Sequence, residues 1–229
     1  MIAGVLLAAG ASTRMGSSKA LVRLRGQSFL VRGVRALWSV CDTVIVVLGH
    51  DGKRVCREVN EEFADLVAKG LAAPDLRGGP RHRSGELEVR FAFNKAWAEG
   101  MLSSARVGLA QALRHKPHGV LLMPVDQPDV QPATVQALGA MLEQALTSFG
   151  GKSANWFAYA LVPRHRGHRG HPVAMSSALA DVVRRDRGAR DLSDAIRRSA
   201  RLVGYLDVAD KGVTMNQNTP APATKKRGR

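Results

Sequence analysis

Apolar residues in this chain alternate between short continuous runs and stretches in which they recur every three or four positions. Residues 2 to 8 (IAGVLLA) and 42 to 49 (DTVIVVLG) are aliphatic or β-branched runs bounded by turn residues, the pattern of strands buried on both faces. Between them Leu30, Val34, Leu37 and Trp38 fall at helical spacing, so residues 28 to 39 are expected to form a helix and the chain to open with a β-α-β unit. Val55, Val59, Phe63 and Leu66 mark a second amphipathic helix, and residues 87 to 93 a third strand. Leu102, Ala105, Leu109, Ala112 and Leu113 mark a third helix, with Ser103 or Ser104 expected as its N-cap. A fourth buried strand, 119 to 125 (GVLLMPV), ends directly on Asp126. Pro132 opens a helix whose expected inward face is Val135, Leu138, Met141 and Leu142; later strands are expected at 156 to 162 and 201 to 208, around a helix near 176 to 185.

This alternation predicts an α/β fold, a mostly parallel sheet with helices on both faces, in which ligands bind beyond the carboxyl ends of the strands. The loop after the first strand, Asp126 and the loop after residue 162 then share one edge. With 229 residues and 45% apolar content the chain can bury a core of its own. One domain over residues 1 to 219 is expected, with 220 to 229 as a disordered basic tail. Residues 69 to 86, rich in Gly, Pro and Arg, read as an exposed loop.

Thirty-four Lys and Arg against nineteen Asp and Glu give a formal charge of +15, which favours anionic partners without naming one. Only 5% of residues are aromatic and most sit inside apolar patterns, so nucleic acid is disfavoured as a partner. Cys41 and Cys56 lack metal-ligand spacing and read as buried free thiols of a reducing compartment. No stretch is long and apolar enough to cross a membrane, and a cytoplasmic location is expected.

The segment LLAAGASTRMGSSKAL, residues 6 to 21, carries the first chemistry. It is neither a Walker A loop nor a GxGxxG fingerprint, because Lys19 has no Ser or Thr after it and Gly10 and Gly16 have no third glycine at the needed offset. Small residues at Ala8, Ala9, Gly10 and Ala11 nevertheless leave backbone amides open to an anion, and Arg14 and Lys19 add a planar fork and a point charge. The alternative is a tight turn carrying two solvated cations. Asp126 similarly reads as a metal ligand at a strand end or as a turn former before Pro128. His165, His168 and His171 recur every three residues among arginines, a pattern closer to a solvated basic loop than to a zinc site.

Taken together, the motifs resemble the MobA-like NTP transferases, which include the molybdenum cofactor cytidylyl- and guanylyltransferases. Leu7, Ala8, Ala9, Gly10, Ser12, Arg14, Met15, Gly16 and Lys19 match the family's opening signature, and Asn94, Trp97, Gly100, Met101, Ser103 and Ser104 look like its N-x-x-W-x-x-G-M-x-x-S segment. The stretches PVDQP, RGHPV (169 to 173) and NQNTP (216 to 220) follow in the family's order. The resemblance implies a Rossmann-like, glycosyltransferase-A-type three-layer α/β/α sandwich with a mostly parallel mixed sheet. It also implies transfer of a nucleoside monophosphate to a phosphorylated acceptor such as molybdopterin cofactor, with release of pyrophosphate.

By the same resemblance, Arg14, Lys19 and Asp126 are the catalytic candidates. Leu7 to Gly10, Ser12, Asn94, Gly100, Ser103 and Ser104 would hold the nucleotide, and Gly170, His171 and Pro172 the acceptor. Asp126, Asn216 and Asn218 would hold Mg²⁺. L-A-A-G at residues 7 to 10 is the form that resembles the CTP-using members, and L-A-G-G the GTP-using ones. A molybdoenzyme or its chaperone is the macromolecular partner the resemblance implies. Departures are a basic stretch, ATKKRGR, where relatives carry an acidic residue, the long 69 to 86 segment, and Pro124-Val125 in place of glycine before Asp126. A GTP- or sugar-phosphate-using nucleotidyltransferase of the same fold and a non-catalytic nucleotide- or cofactor-binding accessory protein remain as alternatives.

Overall fold

The computed structural model describes residues 1–11, 18–69, 88–148 and 157–217. The first aliphatic run forms β1 (Ile2–Ala8), and a two-stranded hairpin, β2 (Arg23–Leu24) and β3 (Gln27–Ser28), precedes α1 (Phe29–Trp38). Then come β4 (Thr43–Leu48), α2 (Gly52–Ala68), β5 (Glu88–Phe93), α3 (Met101–Ala112), β6 (Gly119–Pro124) and α4 (Pro132–Ser148). The last third holds β7 (Tyr159–His165), β8 (His168–Arg169), β9 (Val173–Ser176), α5 (Ser177–Arg185), α6 (Leu192–Ser199) and β10 (Leu202–Asp207).

The main sheet runs β10-β7-β9-β6-β1-β4-β5, with β8 paired to β7. Strands β5, β4, β1 and β6 are mutually parallel, as are β7 and β10, while β9 lies antiparallel between β6 and β7. A mostly parallel mixed sheet is therefore present, as expected.

Alternation along the central strands builds the two helix layers. Ile2, Leu6 and Ala8 of β1, with Val44, Val46 and Leu48 of β4, join α1, α2 and α4 in one apolar cluster. Ala3, Val5 and Leu7, with Ile45 and Val47, join α3, α5 and α6 in the other. Both faces are covered, so these strands read as unbroken apolar runs.

Several expectations change. The seventh strand starts at Tyr159, not 156, and Trp156 lies outside the described residues. Met141 is exposed rather than inward, because Gly139 takes the close approach of α4 to Val40. Cys56 is only partly buried; Cys41 is buried, which pushes its thiol pKa far up and keeps it protonated. The 70 to 87 segment and the 220 to 229 tail lie outside the described residues.

Candidate active site

The carboxyl ends of β1, β4, β5 and β6 are stitched side by side. Val125 N donates to Leu7 O (2.9 Å), His50 N to Ala9 O (3.1 Å) and Asn94 N to Leu48 O (2.7 Å). Gly49 permits this crowding, since a Cβ there would lie 2.6 Å from both Ala9 O and Trp97 Cβ. Ala8 and Ala9 are buried, whereas Gly10 is exposed with nothing within 4 Å of where a Cβ would stand. The chain thus leaves the core at Gly10, beside the other strand ends. Ser12 and Arg14 lie outside the described residues.

Lys19 opens the short 3-10 turn Lys19–Leu21, whose Ala20 is anchored in the core. That anchor sets the Lys19 ammonium 3.2 Å from Asp126 Oδ2, and each side chain is 21% exposed. Two groups nominated for phosphate and metal, 107 positions apart, therefore meet.

The chain around Asp126 is held from two directions. Arg32 of α1 donates from Nε to Pro128 O (2.9 Å) and pairs with Asp129 (3.4 Å). From the other side Gln217 N donates to Asp126 O (2.8 Å) and Gln217 Nε2 to Asp129 Oδ2 (3.1 Å). Gln127, 4% exposed, donates from Nε2 to Asn216 Oδ1 (2.9 Å). Asn216 is thereby brought to the Asp126 loop, while Asn218 lies outside the described residues.

The acceptor candidates join the same region. Gly170 N donates to Pro163 O, and His171 N to Val213 O, both at 2.9 Å. A Cβ on Gly170 would strike that Val213 carbonyl. The His171–Pro172 peptide is cis. Burial pushes the His171 imidazole pKa below its ordinary value, and the nearby Asp126 carboxylate opposes the shift. Among the described residues no three His, Cys, Asp or Glu side chains gather at one point.

The expected Ser103 or Ser104 cap is not found. Gly100, at φ 100°, is the N-cap of α3, a backbone conformation that favours glycine, and both serines lie within the helix and are buried. Asn94 Nδ2 instead donates to Ser103 Oγ (2.8 Å) and Ser104 Oγ (3.0 Å), while Asn94 Oδ1 accepts from Ala96 N (3.0 Å). These residues shape the turn between β5 and α3. Trp97, on that turn, meets the His50 ring edge-on at 5.2 Å. Sequence reasoning had not assigned roles to Gln127, Gln217 or His50; only the position of Gln127 next to Asp126 pointed to it.

Residues 4–202 match the family described as MobA-like NTP transferase domain. The chain belongs to this family. It is thus an enzyme of the nucleotidyltransferase class. The chain is 29% identical over 225 residues to the nicotine blue oxidoreductase of Paenarthrobacter nicotinovorans, covering 95% of this chain and 92% of that one. It is 50% identical over 42 residues to a Synechococcus elongatus protein named as a molybdenum cofactor guanylyltransferase, 18% of this chain and 22% of that one. A Mycobacterium tuberculosis protein solved in complex with manganese shares the fold, with a TM-score of 0.56 and 23% identity over 90% of this chain and 88% of that one.

The donors present suit the divalent cation such transferases use. The Asp126 carboxylate and the Asn216 carboxamide offer hard oxygens. Asn216 Oδ1 keeps a second lone pair beyond its bond from Gln127. Two such side chains do not fill a six-coordinate shell, which leaves places for phosphate oxygens.

Proposed function

We propose that the protein transfers CMP from CTP to the terminal phosphate of a molybdopterin-type cofactor, releasing pyrophosphate, with Mg²⁺ as the cation. The supporting observation is the meeting of Lys19, Asp126, Asn216 and His171 at one sheet edge. Asp126 and Asn216 would hold the metal, which when bound supplies charge neutralisation at the phosphates. Lys19 exchanges its carboxylate partner for a phosphate oxygen as the nucleotide enters. The acceptor phosphate is already anionic, so in-line placement and charge stabilisation carry the reaction and no strong base is required. His171, held neutral by burial, orients the acceptor by hydrogen bonding. Arg14 adds a second cation at the triphosphate, and Ser12 and Asn218 extend the nucleotide and metal sets. Residues 1 to 219 form the catalytic unit and 220 to 229 a tail. The setting is the cytoplasm, and a molybdoenzyme or its chaperone receives the product.

CTP is preferred because residues 7 to 10 read L-A-A-G, the form that resembles the CTP-using members. The guanylyltransferase match favours GTP. Pyrophosphate release measured with each of the four NTPs, Mg²⁺ and the cofactor separates them: CTP-dependent release, lost in Asp126→Ala and broadened to GTP in Ala9→Gly, is expected. Release with GTP alone would replace CTP by GTP. The match to a nicotine blue oxidoreductase over 95% of the chain supports a second reading, an oxidoreductase acting on nicotine blue. Bleaching of nicotine blue by the protein with NADH, and no pyrophosphate release with any NTP, would establish it.

A further inference from the structure

We propose that a cavity on the outer flank of α3 is a second anion site, for a small phosphorylated molecule carrying at least two negative charges. The cavity, about 330 Å³, is lined by Arg106, Arg184 and Arg187, with Asn94, Glu99 and Ser103 at its other side. Its size is at the lower end of the range for small-molecule sites and excludes a nucleic-acid strand. Ser103, Arg106, Val107 and Ala110 also line it, three and four positions apart, so one wall is a single face of α3. The end of α5 and the residues beyond it supply the opposite wall.

The charge of the lining points to an oxyanion. Three guanidinium groups line the cavity against the one carboxylate of Glu99. Arg184 is partly neutralised by Asp181 at 2.6 Å. Asp186 gives Arg106 only its backbone carbonyl, its carboxylate being engaged by Arg198 (3.4 Å) and Gly188 N (2.8 Å). A phosphate offers several lone pairs to the planar forks of donors that guanidinium groups present. Lys19 and Asp126 are not among the lining residues, whereas Asn94 and Ser103, nucleotide candidates by the resemblance, are, so the cavity adjoins those candidates and leaves out the Lys19–Asp126 pair.

The test is calorimetric titration with inorganic pyrophosphate at about 0.15 M salt, without nucleotide or divalent cation, so that counter-ion screening is fixed. Wild type, Lys19→Ala and Arg187→Ala are compared; Arg187 is exposed, so its removal leaves the fold intact, as an unchanged Tm checks. A saturable site that survives in Lys19→Ala and is weakened about 10-fold or more in Arg187→Ala is expected. Arg106→Gln, which loses the buried fork, should weaken it further. Loss of binding in Lys19→Ala with Arg187→Ala unaffected would overturn the proposal, since pyrophosphate would then sit only at the strand ends. Equal weakening by both substitutions, or no saturable binding to wild type, would overturn it too.

Discussion

Lys19 Nζ stands 3.2 Å from Asp126 Oδ2, so the ammonium lies where a metal cation would have to approach the carboxylate. At 21% exposure on each side the pair contributes little to stability, about 1 kcal/mol or less. Its consequence is for binding. Lys19→Met should bind free Mn²⁺ about 5- to 10-fold more tightly than wild type, because a neighbouring positive charge is gone. The same variant should lose turnover by about 100-fold or more, because the triphosphate loses a donor that stabilises departing charge. Asp126→Asn should lose both metal affinity and turnover. Manganese titration followed by electron paramagnetic resonance, beside pyrophosphate release, separates the two effects; weaker metal binding in Lys19→Met would contradict the competition.

Gln127 is buried and carries the bond that brings Asn216 to the Asp126 loop, yet its Oε1 finds no donor among the described residues. Gln127→Ala should therefore weaken Mn²⁺ by about 10-fold, the usual scale for an outer-shell partner. Unfolding in urea should fall by about 1 kcal/mol. The conservative Gln127→Glu tests position against mere packing: it keeps the volume but cannot donate to Asn216, so metal affinity should stay impaired. Full metal affinity in either variant would mean that Asn216 reaches the site by other means.

The central strands were legible because burial on both faces leaves long aliphatic runs, and α1 to α5 because their apolar residues hold helical spacing. β9 was not: four residues after Pro172 carry no period that distinguishes an antiparallel strand. The hairpin before α1 also escaped, being two residues on each side of Arg25 and Gly26, which both adopt positive φ. α6 left a readable signal, Asp191 as N-cap with Leu192, Ala195 and Ile196 at helical spacing. At the candidate site, the shared edge of the opening loop, Asp126 and the loop after residue 162 was legible from the strand order, while Ser103 and Ser104 were misplaced as caps because their bonds go to Asn94, across a turn that local pattern does not encode. Gln217 was missed for the same reason, its partner lying 88 positions away.

Gly49 offers a steric test of the strand-end arrangement. A methyl group there would sit 2.6 Å from Ala9 O and from Trp97 Cβ, so backbone on one side and a helix-entry turn on the other must shift. Gly49→Ala should cost about 1 to 3 kcal/mol of stability, the scale of overpacking. It should also raise the KM for nucleotide more than it lowers kcat, because it moves Ala9 and the 94 to 100 turn but not the Lys19–Asp126 pair. An unchanged KM would place the nucleotide away from Ala9.

His171 gives a pH signature. Burial lowers its pKa below that of an unfolded chain, near 6.5, while the Asp126 carboxylate works against the shift. A group whose folded pKa is depressed takes up its proton more readily in the unfolded state. The stability associated with neutral His171 is thus present above pH 6.5, and is lost as pH falls from there through the folded pKa. In the ligand-free protein the imidazole proton resonances of His171 should titrate below the unfolded value, and lower still in Asp126→Asn, where the opposing charge is removed. His171→Gln should flatten the fall in Tm on the acid side of pH 6.5. A midpoint unchanged in Asp126→Asn would show that the carboxylate does not reach the ring and would separate the acceptor candidates from the metal candidates, and a midpoint above the unfolded value would show that burial does not dominate.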